Sequence, residues 1–372
     1  MFALDLIGDL NSRGVEQRIA VIRRVPDGLN YGTGCVWLAG SPLRSVARLH
    51  SLVRSWRPDV VLAHGGESLK WLTPTLLRPA SPPVVYRRIG MTPAWMAGPL
   101  RKRAHGFIIR RARMVVAVAE AAAQELIDSF GVKRSSIELI GNAVDERRTH
   151  SSVDPLDVKS GLGLDDGARI VLFAGALTEE KDPLELIEVA RRVCDELPEV
   201  TFVVAGEGPL ADELTSAVAA AGLGNKVRLV GSRTDLPDLM VASEALVMTS
   251  RTEGIPGVAI EAGLSRLPVV AYGVGGVPEV VVDEATGLLT SHGDARGLSD
   301  RLIRTLTEQS LADELGAKAK ARCLELYAIE KSGALYLDLF SRIYKSGKDK
   351  SETARSPLLD RSEDRTLTGE PR

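Results

Sequence analysis

Ala245-Leu246-Val247-Met248-Thr249, a short polar turn, and then Glu253-Gly254-Ile255-Pro256-Gly257-Val258-Ala259-Ile260-Glu261 is the stretch whose reading decides the fold. Its apolar opening lacks alternation, as strands do when helices cover both faces of a parallel sheet. The turn carries two glycines and a proline, which let the backbone bend sharply and preset the first helical turn. An apolar helix over Gly257–Ser265 follows, so the stretch reads as strand, turn and helix at the C-terminal edge of a sheet.

Working outward, the same unit recurs. Upstream, strands are predicted at Ala168–Ala174, Thr201–Ala205 and Val227–Val230, and downstream at Val269–Ala271, with helices over Pro183–Leu197 and Leu210–Ala221 between them. In the first half the strand candidates are Gln17–Ile22, Cys35–Leu38, Asp59–Ala63, Val84–Tyr86, Met114–Val118 and Ile137–Leu139. Strands alternating with helices in both halves predict an α/β protein of two Rossmann-like units. The expected divisions are 1–155, 156–327, a returning C-terminal helix at 328–345, and a charged tail over 346–372 too poor in apolar residues to bury a core. The beginning departs from the pattern. Phe2–Leu10 reads as a helix closed at Arg13-Gly14, so the first unit lacks the opening strand and glycine-rich turn of a doubly wound domain.

The deciding stretch also holds chemistry. A helix N-terminus at the C-terminal edge of a parallel sheet is a natural diphosphate site. Glu261, about one turn into the helix, is placed to accept both hydroxyls of a ribose, and Glu253, ahead of it, to hold sugar hydroxyls. Both acids equally suit the ordinary preference for negative charge near a helix N-terminus. Lys181, in the loop Gly175–Pro183, can reach a phosphate as a point charge. Gly206-Glu207-Gly208-Pro209 and Gly231 end the next two strands. Several strand ends converging on one crevice is where open α/β sheets bind ligands.

Charge is divided along the chain. Of 47 basic and 49 acidic residues, 22 and 12 fall in residues 1–150. The densest basic run, Arg101-Lys102-Arg103 with Arg110, Arg111 and Arg113, lies near Trp95, Met96, Leu100 and Phe107. It reads either as a solvated helix or as one lying on an anionic bilayer. No recognised motif for nucleic acid accompanies it. The three cysteines are far apart without metal-ligand spacing. No apolar run is long enough for a membrane span, and the acidic start does not read as a signal peptide. These features predict a cytoplasmic protein, peripheral at the inner membrane face if the basic run binds lipid.

Residues 165–327 resemble the donor domain of the family-four retaining glycosyltransferases. The resemblance lies in Glu253 and Glu261 spaced as Glu-x7-Glu, the loop ending at Lys181, the turn Gly206–Pro209, and Gly275-Gly276-Val277-Pro278-Glu279 through Thr286-Gly287-Leu288-Leu289. The first half is more loosely similar, through Pro58–His64, Val116–Glu120 and Ile140-Gly141-Asn142-Ala143-Val144-Asp145. The resemblance implies a GT-B fold, two Rossmann-like domains facing a cleft. It also implies metal-independent, retaining hexosyl transfer from a nucleoside-diphosphate sugar to a glycan or lipid-linked acceptor, with no other cofactor, in polysaccharide biosynthesis. By position, Lys181 would hold the diphosphate, Gly254, Ile255, Pro256, Gly257 and Val258 would offer amides, Glu253 would contact the sugar, and Glu261 the ribose. Gly206 and Gly231 would flank the nucleotide, Val230–Leu236 would line the base, and His64 would match the acceptor-side histidine of many relatives. Ala176 departs from the pattern, since many relatives carry arginine there; Arg251 or Arg233 are the candidates to replace that cation. A relative that binds nucleotide sugar without transfer, or a sugar-nucleotide epimerase of the same fold, are the alternatives.

Overall fold

The computed structural model describes residues 2–22, 35–38, 42–76, 81–90 and 98–355. The first half runs α1 (Phe2–Ser12), β1 (Ile19–Val21), β2 (Cys35–Trp37), α2 (Pro42–Trp56), β3 (Val61–His64), α3 (Gly65–Leu76), β4 (Val84–Arg88), α4 (Pro99–Ile109), β5 (Met114–Ala117), α5 (Glu120–Phe130) and β6 (Ile137–Leu139). Glycines stop two of these helices. After α1, Gly14 takes φ +80° and the Val15 amide turns back to the Leu10 carbonyl. Gly131, at φ +64°, closes α5 in the same left-handed conformation.

Strands β3 to β6 form a parallel sheet in chain order, while β1 and β2 pair parallel as a separate sheet. Six strands were expected in this half, and among the described residues six are found, divided between these two sheets. Among the described residues β1 and β3 each lie at the edge of their sheet, and α1 is the first element. The interior strand β4 is buried at all five positions, whereas the edge strand β3 buries only Ala63.

The second half runs α6 (Pro155–Gly161), β7 (Arg169–Ala174), α7 (Leu186–Glu196), β8 (Val200–Ala205), α8 (Ala211–Ala220), β9 (Val227–Gly231), α9 (Leu236–Val241), β10 (Ala245–Met248), α10 (Gly257–Leu264), β11 (Val269–Tyr272), α11 (Val277–Val280), β12 (Leu288–Thr290), α12 (Ala295–Thr307) and α13 (Gln309–Leu326). All strands are parallel, in the order β12-β11-β10-β7-β8-β9. The order reverses between β7 and β10, and such a reversal opens a crevice beyond the C-terminal ends of the two strands, where sheets of this kind generally bind ligands. Successive residues of β7 point to opposite faces. Val171 and Phe173 join a core with Val189, Leu298 and Leu302. Ile170 and Leu172 join Ile260, Leu264 and, in continuous packing, Ala63, Tyr86 and Leu126 of the first half. Strand β12 was not read from the sequence; three residues at a sheet edge leave too short a pattern. Gly287, just before it, sits where a Cβ would come 2.5 Å from the Val269 carbonyl oxygen.

The last helix, α14 (Ile329–Arg355), returns to the first half. Tyr336, Leu339 and Ile343 pack against Leu6 and Leu10 of α1 and against Val85, Val116 and Ile140. The chain crosses between the halves twice, side by side: the Val144 amide donates to the Tyr327 carbonyl and the Ile329 amide to that of Val144. One expectation is corrected. Residues 346–355, read as unstructured tail, continue α14 to Arg355, because extending an existing helix needs no new nucleus and gains a hydrogen bond per residue. Residues 356–372 lie outside the described residues, as do Trp95 and Met96.

Candidate active site

The loops after β7 and β10, neighbours at the reversal point, are stitched together. The Glu253 carboxylate is buried, and its Oε1 accepts from Lys181 Nζ at 2.5 Å and from Ser250 Oγ at 2.7 Å. The Thr249 hydroxyl donates to the carbonyls of Lys181 and Asp182, and the Arg251 amide donates to the Glu180 carbonyl. Sequence reading placed Lys181 and Glu253 in one crevice, and the structure brings them into contact.

The Glu253–Ile255 backbone is gripped from two sides. Beneath it run Gly275 and Gly276, where a Cβ would lie 2.1 Å from the Glu253 carbonyl oxygen and 2.0 Å from that of Gly254. Above it, the Asn142 side-chain amide donates to the Ile255 carbonyl, and a Cβ on Gly254 would meet the Ile89 carbonyl oxygen at 2.7 Å. Helix α10 then starts at Gly257 from Pro256, and among the described residues no side chain caps it and nothing lies within 4 Å of the position a Gly257 Cβ would take. The first-turn amides of Gly257 and Val258, which have no preceding helical turn to bond to, and the helix dipole together favour an anion there. Gly206 and Gly208 act by smallness, their missing Cβ atoms allowing contact with the carbonyls of Gly175 and Leu177. The Gly206 amide donates to the Gly231 carbonyl, and Gly231 takes φ +68° at a bulge in the β8–β9 pairing.

Glu261 lies one turn into α10, largely buried, with Arg148 Nη2 at 3.4 Å from Oε1. Burial pushes its pKa above the usual carboxylate range, opposed by the charge of Arg148. His64 ends β3 with its ring stacked on Phe2 at 6.1 Å, and its buried Nδ1 has no hydrogen-bond partner among the described residues. Burial first, then the charge of neighbouring Arg87, pushes its pKa down to about 3, so the imidazole is neutral at physiological pH. Arg87, opposite His64 in the β3–β4 register, is completely buried and donates to Asn142 Oδ1. A chain Arg87–Asn142–Ile255 thus links the first sheet to the loop before α10.

Sequence reasoning missed Arg87, Asn142 and Arg148 as site residues. Asn142 stood within a stretch already singled out and Arg148 lies just beyond it; Arg87 was submerged in a generally basic half. Both candidates to replace the cation absent at Ala176 are engaged nearby, Arg251 with Asp182 at 2.7 Å and Arg233 with Asp235 at 2.5 Å. Val230 and Arg233 line a concavity of about 580 Å³ with Leu162, Thr215, Val218 and Arg228.

The sequence model of the family described as "Glycosyl transferases group 1" matches residues 157–322, and that described as "Glycosyltransferase Family 4" matches residues 3–148. The chain is 29% identical to 2-deoxystreptamine glucosyltransferase of Streptomyces kanamyceticus over 59% of its length, spanning 60% of that protein. It is 28% identical to 2-deoxystreptamine N-acetyl-D-glucosaminyltransferase of Streptomyces fradiae over 80% of its length and 76% of that enzyme. Among solved structures, HepE of Anabaena in complex with UDP-glucose superposes with a TM-score of 0.76 at 22% identity, covering 84% of this chain and 87% of that one. Sucrose-phosphate synthase from Thermosynechococcus elongatus reaches 0.79 at 19% identity, covering 92% of each. These last two share the fold, and with both halves of the sequence matched by models of the family, the chain belongs to the family-four glycosyltransferases.

Proposed function

We propose that this protein transfers a hexosyl group from a nucleoside-diphosphate sugar to a glycan or lipid-linked acceptor, with retention of configuration and without a metal, in cell-surface or exopolysaccharide synthesis. The observation that carries the reading is the meeting of Lys181, Glu253, the uncapped start of α10 and Glu261 at the reversal point of the second sheet. In this reading the diphosphate lies against Lys181 and the Gly257 and Val258 amides, Glu253 turns to the sugar, and Glu261 takes the ribose. Lys181 exchanges the Glu253 oxygen for a phosphate oxygen as the donor enters. Charge developing on the leaving diphosphate is met by donors already in place, which is electrostatic stabilisation. The neutral His64 stands on the acceptor side.

The test is thermal shift against UDP, UDP-glucose and other nucleotide sugars, since a ligand bound to the native state raises its stability. UDP is the natural first probe because the similar HepE is seen with UDP and UDP-glucose. Glu261→Ala is expected to abolish the shift and turnover while the chain stays folded; an undiminished shift would overturn the donor-site reading. A nucleotide-sugar binder without transfer is the second reading, favoured by Ala176 and by the engagement of Arg251 and Arg233 with neighbouring acids. Tight donor binding without hydrolysis or transfer to any acceptor would decide for it.

The reading extends to location: a cytoplasmic protein held at the inner membrane face by α4. Leu100 and Phe107 are 81% and 48% exposed on that helix, among Arg101, Lys102 and Arg103. Arg111 stacks over the Phe107 ring at 4.9 Å. No helix of the described residues is long and apolar enough to cross a membrane. Flotation with anionic vesicles should recover the protein at low salt and lose it at high salt. Equal recovery with neutral vesicles would refute the electrostatic attachment.

A further inference from the structure

We propose that Arg148 is a positioning residue for the donor ribose: its guanidinium, anchored by Asp5, holds the Glu261 carboxylate for the ribose diol. The inference rests on the donor-site reading of Glu261. Arg148 belongs to the 3-10 turn Glu146–Thr149, in the strap between the two halves, where the Asp145 side chain caps the turn by accepting the Arg147 amide. Its guanidinium spans two acids. Nη1 lies 2.6 Å from Asp5 Oδ2 on α1, and Nη2 lies 3.4 Å from Glu261 Oε1 on α10. Asp5 is almost wholly enclosed, and its Oδ2 also takes the Asp145 amide at 3.4 Å.

Two physical demands make this contact more than an ion pair. A ribose diol donates two hydrogen bonds, so Glu261 serves it best as a carboxylate, which offers about four lone-pair sites; a protonated carboxyl gives one oxygen over to a proton. Burial drives Glu261 toward the protonated form, and Arg148 is the foremost charge opposing it. Among the other described residues, Asp5 also acts on Glu261 and raises its pKa. Packed against the same helix, α13 presents Ala319 and Cys323 beside Gly263. The Arg148 contact is made to Oε1, and the proposal assigns Oε2 to the diol. The rigid fork of an arginine held at one end by Asp5 fixes the orientation of the carboxylate at the other. The ribose site therefore depends on three residues far apart in sequence, one of them on the first helix of the opposite half.

The test is calorimetric binding of UDP, ADP and GDP between pH 5 and pH 8 by the full chain and its variants. Arg148 favours the charged form, so its removal raises the Glu261 pKa and affinity is lost at a higher pH. For Arg148→Met the pH at which affinity falls should move up by about one unit. Arg148→Lys, restoring charge without the fork, should recover that pH while binding more weakly than wild type. In a Glu261→Gln background, Arg148→Met should cost nothing further, because the group it acts through no longer titrates. An unchanged pH profile in Arg148→Met, or a full additional loss in the double variant, would overturn the proposal. If wild type binds none of the three nucleotides at any pH, the donor-site reading itself fails and this inference goes with it.

Discussion

Lys181 and His64 show how a single side chain acquires a task from its surroundings. The Lys181 ammonium is paired with Glu253 in the loop ahead of α10. Lys181→Ala should therefore weaken free nucleoside-diphosphate binding by about 1.5–3 kcal/mol, the scale of a charge-assisted hydrogen bond. Calorimetry checks this, and unchanged affinity would remove Lys181 from the diphosphate site. His64 is buried neutral with its pKa near 3, below the ordinary value of 6.5. Between those values the unfolded chain binds a proton the native chain does not, so stability falls on acidification below about pH 6.5. Going from pH 7 to pH 5, wild type should lose about 2 kcal/mol more stability than His64→Phe, at 1.36 kcal/mol per pH unit. Urea midpoints at the two pH values measure the difference; equal losses would mean that His64 titrates normally.

At the scale of elements, the loop before α10 is shaped by neighbours that bring no charge to the ligand. Gly275 and Gly276 let the following loop pass directly beneath Glu253 and Gly254, and Asn142 ties the loop to the first sheet. Gly276→Ala puts a methyl carbon 2.0 Å from the Gly254 carbonyl oxygen, so that loop must move. The expected outcome is a protein of near-normal helical content whose donor affinity falls at least tenfold, about 1.4 kcal/mol. Circular dichroism and calorimetry together check it, and normal affinity would show the loop free to adjust. Strand and helix limits were mostly legible to within a residue or two, because buried parallel strands are apolar throughout and glycines stop helices by conformation. The end of α14 was not legible, since a charged helix extension carries no hydrophobic period.

For the whole molecule, the two halves are joined by the paired crossings at Val144 and Ile329 and by α14 packed across α1. Tyr336 of α14 is completely buried where α1 and the first sheet meet. Tyr336→Ala should cost about 3–5 kcal/mol, the usual range for truncating a buried aromatic side chain. Denaturant unfolding should show this loss in the transition of the first half, and a loss below 1 kcal/mol would argue that the clasp contributes little. Among the described residues the first-half strands divide into sheets of two and four, likewise a property of the whole, since strand propensity says where a strand lies and nothing of its partner.

The sequence by itself determined that this is an α/β protein with two alternating units, and it marked Lys181, Glu253 and Glu261 as a converging set. Apolar runs, glycine turns and fixed spacings are local, and local patterns survive in one dimension. Only the tertiary structure decided that Lys181 and Glu253 touch, that Asn142 reaches across to Ile255, and that Asp5, Arg148 and Glu261 stand in line. Those contacts join residues tens to hundreds of positions apart, and no periodicity encodes which strand edge or helix start will face another once the halves pack.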